Sequence, residues 1–187
     1  CVRTAAEIWI REVAISGGRD SMALARLCAA YAEKTGAEAL ALTVDHRLRA
    51  GAADEAAQAK CWCEAAGLAH LTLHWGGEKP SSGVQAAARA ARYKLLIEAA
   101  QAHGCEALLT AHSEDDQAET VFMRLARGAG LRGLAAMREE SFVAAGPGEP
   151  LRLLRPLLSF SRDSVTAYLG ALTVAMFLGY VDAARRG

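Results

Sequence analysis

Apolar positions along the chain follow two alternating rhythms. Val13–Ser16, Ala39–Asp45 (ALALTVD), Ala69–Trp75 and Glu106–His112 (EALLTAH) are short, nearly continuous apolar runs with the length of buried strands. Between them lie stretches of helical period. Leu24, Leu27, Cys28 and Tyr31 form one i, i+3, i+4, i+7 stripe that ends before Gly36. Asp54–Ala66 is an alanine-rich helix closed by Gly67, Val84–His103 is a long helix, and Asp115–Arg127 is another. Strands alternating with helices of this length predict right-handed crossovers and a parallel sheet covered on both faces. The expected fold is α/β, a Rossmann-like doubly wound sheet.

Ligands of such sheets bind beyond the carboxyl ends of the strands. There the pattern changes character. The first strand runs into Ser16-Gly17-Gly18-Arg19-Asp20-Ser21, the second ends in Asp45-His46, and the fourth in His112-Ser113-Glu114-Asp115-Asp116. Three strands thus deliver polar and ionisable groups to one rim. Glycines between a strand and a helix expose backbone N–H groups at a positive dipole end, which is how phosphate is commonly held. The loop is neither a Walker loop nor a dinucleotide fingerprint, since it has no lysine and the wrong glycine spacing. Its hydroxyls and amides instead suit a pyrophosphate, with Asp20 free to orient an amide or a metal-bound water. Bland readings accompany each piece: a tight Gly-Gly turn, N-capping by Ser16, Asp20 or Ser21, and a capping box at Ser113-x-x-Asp116.

Composition narrows the class. The 187 residues are 52% hydrophobic and 22% charged, enough for one sizeable core. A neutral total conceals 12 basic and 16 acidic residues up to Glu119, followed by 9 basic and 5 acidic from Thr120 onward. That Arg-rich excess is compatible with a polyanion but falls short of a basic tail. Five cysteines, Cys1, Cys28, Cys61, Cys63 and Cys105, form no Cys-x-x-Cys and read as reduced thiols in a cytoplasmic protein. Cys61 and Cys63 should point to different helix faces. No signal peptide is evident, and the run Ala171–Val181 is too short to cross a bilayer. The chain opens at Cys1 rather than Met, as a trimmed or partial sequence does.

The loop S-G-G-x-D-S after a strand resembles the PP-loop of the N-type ATP pyrophosphatases, which cleave ATP between the α and β phosphates. Further stretches are similar, in the same order, to the tRNA(Ile)-lysidine synthetase family: VDHRLR at 44–49, GVQAAARAARY at 83–93, TAHSEDDQAET at 110–120, RGAGL at 127–131 with Gly133-Leu134, and LRPLL at 154–158. The resemblance implies an adenine nucleotide alpha-hydrolase-like domain over residues 1–170. A divergent tail, 171–187, follows, and the family's C-terminal tRNA-binding domains are not represented.

It also implies a reaction, in which ATP adenylates O2 of the wobble cytidine and the amino group of L-lysine displaces AMP. The implied cofactors are ATP and Mg²⁺, and the implied partners are L-lysine and tRNA(Ile) with a CAU anticodon, with a homodimer as the assembly allowed for and no membrane. Ser16, Gly17, Gly18, Arg19, Asp20 and Ser21 would hold the pyrophosphate, Asp20 and Asp116 the metal, and Asp45, Arg92, His112 and Asp116 would serve catalysis. Gln85, Arg89 and Arg92 form one polar stripe on the long helix, which the resemblance turns toward phosphate or tRNA. Arg124, Arg127, Arg132, Arg138, Arg152 and Arg155 are further candidates for backbone contacts. Ser113 stands where relatives often carry a second His. The alternatives are a thiolating enzyme of the same class, which usually carries Cys-x-x-Cys pairs, an amidating one with an attached glutaminase, and a nucleotide-binding module without turnover.

Overall fold

The computed structural model describes residues 11–128, 130, 135–144 and 150–171. Elements follow in the order β1 (Arg11–Ile15), α1 (Arg19–Thr35), β2 (Ala39–Asp45), α2 (Ala52–Ala65), β3 (Ala69–His74), α3 (Val84–Ala102), β4 (Ala107–Thr110), α4 (Glu114–Ala126), β5 (Glu140–Val143) and β6 (Leu151–Leu154). Residues 162–171 are helical. Cys1, Arg132, the Gly133-Leu134 pair and the tail from residue 172 onward lie outside the described residues.

One six-stranded sheet is ordered β3-β2-β1-β4-β6-β5. All neighbouring pairs are parallel except β5, which runs antiparallel against β6 at the edge. β5 and β6 are absent from the sequence-based plan, because at four residues each they carry too little pattern to stand out. The parallel part follows from βαβ crossovers, and it has one consequence for function. The chain leaves β1 toward β2 and β3, then returns through α3 to lay β4 on the opposite side of β1. A doubly wound sheet opens a crevice at that reversal, between β1 and β4.

Side-chain alternation splits the core into two layers. Val13 and Ile15 of β1 face Ala23 and Leu24 of α1, Ala59 and Cys63 of α2, and Val165 of the 162–171 helix. Ala14 of β1, Leu42 and Leu108 face Leu96, Ile97 and Ala100 of α3. Cys63 is buried and Cys61 exposed, as opposite helix faces require. The strand β1 begins earlier than the pattern suggests: Glu12 pairs in register with Leu40 and Leu108 and is fully buried. A glutamate in a central strand breaks the apolar run, so sequence alone places the strand's start too late.

Candidate active site

The loop after β1 is shaped by two features. Gly17 has φ +80°, a left-handed conformation that side chains other than glycine adopt at a cost. Ser21 then closes the loop from within: its hydroxyl donates to the Gly18 carbonyl at 2.8 Å and accepts the Ser16 N–H at 3.2 Å. The Ser16 and Ser21 hydroxyls are themselves 3.2 Å apart. No side chain caps the N-terminus of α1, so the capping reading of Ser16, Asp20 and Ser21 does not hold for that helix. Its first-turn N–H groups are left for a ligand, with the dipole favouring an anion.

This loop lines a cavity of about 400 Å³ together with residues carried by β4 and α3. Ser16, Gly18, Arg19, Asp20 and Ser21 form one wall, His112 and Asp116 the next, and Arg89 and Arg92 the third. Ala14 and Thr110, paired partners on β1 and β4, lie at its floor. The cavity is therefore the crevice at the strand-order reversal. Gly17 faces a different recess, beside Trp62 and Gln58 of α2.

Asp45 belongs to a second cavity of about 390 Å³, with Thr43, Val44, His46, Leu48 and Gln85. Ser16 and Arg92 line both cavities and form the boundary between them. The Asp45 carboxylate is already engaged: Oδ1 accepts the Arg47 N–H at 2.9 Å and Oδ2 lies 3.4 Å from His74 Nδ1. Arg47 itself has φ +53°, so this carboxylate fixes a strained turn. His46 meets Trp75 edge to face at 5.9 Å, and burial followed by the Arg92 charge holds its imidazole below its ordinary range.

His112 lies among cations. Its Nδ1 is 3.0 Å from the Thr110 hydroxyl. Burial first, then the Arg155 guanidinium, with Arg89 and Arg92 adding and Asp116 opposing, pull its pKa down to about 4. The imidazole is neutral at physiological pH, and burial and the surrounding guanidiniums resist its protonation. Arg155, noted in the sequence only as a candidate backbone contact, thus belongs beside His112. It donates to the Arg138 carbonyl at 2.6 Å and to the Ser141 hydroxyl at 3.0 Å, while its buried Nε has no hydrogen-bond partner among the described residues.

Asp116 opens α4. Its Oδ2 accepts both the backbone N–H and the hydroxyl of Ser113, at 2.7 and 3.0 Å, so the capping reading holds here. Its Oδ1 is 2.8 Å from Arg162 Nη2. Burial raises its pKa, but the Ser113 bonds, Arg162 and His112 outweigh it and hold the carboxylate below its ordinary range. Asp20 also reaches Arg162, at 3.5 Å from Nε. Arg162 carries no motif signal, since its approach to the loop depends on the chain returning after β6.

Asp20 and Asp116 thus converge on one cation. Among the described residues no group of three or more His, Cys, Asp or Glu forms a complete metal cage. Two carboxylates do fit Mg²⁺, which commonly takes one or two from the protein and completes its shell with phosphate oxygens and water.

The model of the PP-loop domain family matches residues 7–178. The chain belongs to that family. It is 46% identical over 172 residues to a tRNA(Ile)-lysidine synthase of Bradyrhizobium sp. strain BTAi1, covering 91% of this chain and 47% of that protein. It is 50% identical over 158 residues to the tRNA(Ile)-lysidine synthase of Novosphingobium aromaticivorans, covering 83% of this chain and 46% of that protein. The PP-loop chain therefore spans about half the length of these curated relatives. Among solved structures, the U34-tRNA thiolase NcsA from Methanococcus maripaludis superposes with a TM-score of 0.74 at 21% identity, over 89% of this chain and 58% of that one. That likeness concerns the fold. That thiolase carries a [4Fe-4S] cluster, whereas the described cysteines here, Cys28, Cys61, Cys63 and Cys105, line neither of the two rim cavities.

Proposed function

We infer that this chain is the catalytic part of a tRNA(Ile)-lysidine synthetase, residues 1–170 forming the adenylating domain and 171–187 a divergent tail. One observation carries the reading: the Ser16–Ser21 loop and the His112–Asp116 segment share a cavity at the β1/β4 crevice. Near half-identity to lysidine synthases over most of the chain supports the particular reaction.

The two linked cavities suit one extended ligand with a polyanionic end and a base. ATP has that form. The N–H groups of residues 17–21 and the Ser16 hydroxyl receive the β and γ phosphates, where the helix dipole and donors replace water, while the Ser21 hydroxyl holds the loop closed. The α phosphate then lies toward His112, Arg89, Arg92 and Arg155, whose charges oppose the negative charge that develops as pyrophosphate leaves. Ribose and adenine extend past Ser16 and Arg92 toward Asp45 and His46. When bound at Asp20 and Asp116, Mg²⁺ offsets phosphate charge. Neutral His112 is placed to orient the attacking lysine amine by a hydrogen bond. L-Lysine and the CAU-anticodon loop of tRNA(Ile) enter from the open side of the crevice. No described helix is long and apolar enough to cross a membrane, and we assign the protein to the cytoplasm.

The test supplies ATP, L-lysine and tRNA(Ile) and follows pyrophosphate release together with tRNA mass. A lysine-dependent mass gain with stoichiometric pyrophosphate is expected. Pyrophosphate without a lysine adduct would reassign the chemistry, and ATP binding with no release would leave only a nucleotide-binding module.

A further inference from the structure

Four carboxylates and one guanidinium meet where α1, α4 and the 162–171 helix come together. Arg162 Nη2 is 2.8 Å from Asp116 Oδ1, its Nη1 is 3.2 Å from Glu119 Oε1, and its Nε is 3.5 Å from Asp20 Oδ2. Its backbone N–H is fixed separately, donating to Asp115 Oδ2 at 2.7 Å. The main chain is thus pinned to the start of α4 while the side chain, 40% exposed, spreads its fork over three acids from two elements. A fork held this way is anchored at its root and free to move at its tip.

Asp20 and Asp116 are the same two carboxylates that suit Mg²⁺, and the guanidinium occupies one oxygen of each. We propose that Arg162 is a positioning residue that acts as a tethered placeholder cation: in the free protein it keeps Asp20 and Asp116 converged, and it cedes them to Mg²⁺ when the nucleotide binds. The proposal rests on the reading of this cavity as the ATP site. The argument is one of charge. Without a cation, three acids held together repel one another, and Asp116 would turn away from the cavity or draw in a proton. With Arg162 in place they stay ionised and aimed, so the ion meets a formed pair. Displacing the fork then costs little, because the ion pairs are partly solvated. After release the guanidinium keeps Glu119, which lies outside the expected metal pair.

Calorimetric titration of the full chain with α,β-methylene-ATP over a Mg²⁺ series tests this. The wild type should bind the nucleotide with a defined Mg²⁺ half-saturation. Arg162→Gln removes the charge that keeps the pair converged, and its Mg²⁺ half-saturation should rise roughly three- to tenfold, the scale of losing partly exposed ion pairs. At saturating Mg²⁺ its nucleotide affinity should match the wild type. Arg162→Lys, with one charge and no fork, should lie between the two. If Arg162 merely braces the fold, Arg162→Gln lowers the melting temperature and leaves the Mg²⁺ half-saturation where it was, which overturns the proposal. If it instead binds phosphate, affinity at saturating Mg²⁺ drops and the proposal fails as well. A wild type that does not bind the nucleotide at all defeats the ATP-site reading itself.

Discussion

Asp116 Oδ2 accepts two hydrogen bonds from Ser113, through the backbone N–H and the hydroxyl, while its Oδ1 faces Arg162 in the cavity. One residue therefore caps a helix with one oxygen and serves the site with the other. The two roles separate on substitution. Asp116→Ala should lose about 1 kcal/mol of stability, the worth of a helix cap. It should also lose roughly 10²-fold or more in pyrophosphate release, the scale of one charged transition-state contact. Asp116→Asn keeps an oxygen for Ser113, so thermal melting should stay near wild type while release still falls.

Gly17 has open space around its missing side chain, so its requirement is conformational alone. Gly17→Ala should cost roughly 1 kcal/mol from the left-handed backbone, or tilt the loop to escape it. Where the loop tilts, its N–H groups no longer converge. Isothermal titration should show weakened ATP binding with the melting transition still cooperative.

Glu12 is fully buried in β1, with both carboxylate oxygens lacking a hydrogen-bond partner among the described residues. Burial raises its pKa to about 7, against smaller lowering contributions from Cys105 and His103, whose Nδ1 lies 3.7 Å away. The folded chain then holds more protons than the unfolded one between about pH 4.5 and 7. The Glu12 contribution is present in acid, is lost as pH rises through that window, and levels off above it. Glu12→Gln should remove that contribution, and Glu12→Leu should raise stability at pH 8 by up to about 3 kcal/mol, read from urea melts at several pH values.

His112 works in the opposite sense. With a folded pKa of about 4 against an ordinary 6.5, its contribution is complete above pH 6.5 and is lost as pH falls toward 4. The wild type should therefore look nearly flat in acid, because the two slopes offset each other. His112→Gln should reveal the Glu12 slope, and Glu12→Gln the His112 slope. Imidazole NMR should find His112 neutral at pH 6.

The alternation of apolar runs and helical stripes was enough to read the parallel sheet and the rim where Ser16, Asp45 and His112 emerge, because strand ends in a βαβ plan have nowhere else to go. The division of that rim into two cavities was not legible. It depends on Arg92 of α3 and Ser16 lying together at the boundary of both cavities, which no spacing encodes. Arg162, and the place of Arg155 beside His112, stayed hidden because both residues arrive through β6, too short to announce itself. Glu12 misled by being what it is, a charge where the pattern requires an apolar side chain. The capping box at Ser113 and Asp116 was legible, but not its union with the site.

The order of the strands also governs when the cleft comes into being as the chain folds. Ala14 and Thr110 are partners across β1 and β4, and everything between them, two strands and three helices, must be placed or looped out before they meet. Such distant pairings form late, since chain closure must precede the contacts that reward it. A nascent chain carrying only β1 to β3 has its phosphate loop but no opposing wall. Nucleotide capture therefore reports on completion of the sheet, and a ligand added during refolding should stabilise only the last state on the way.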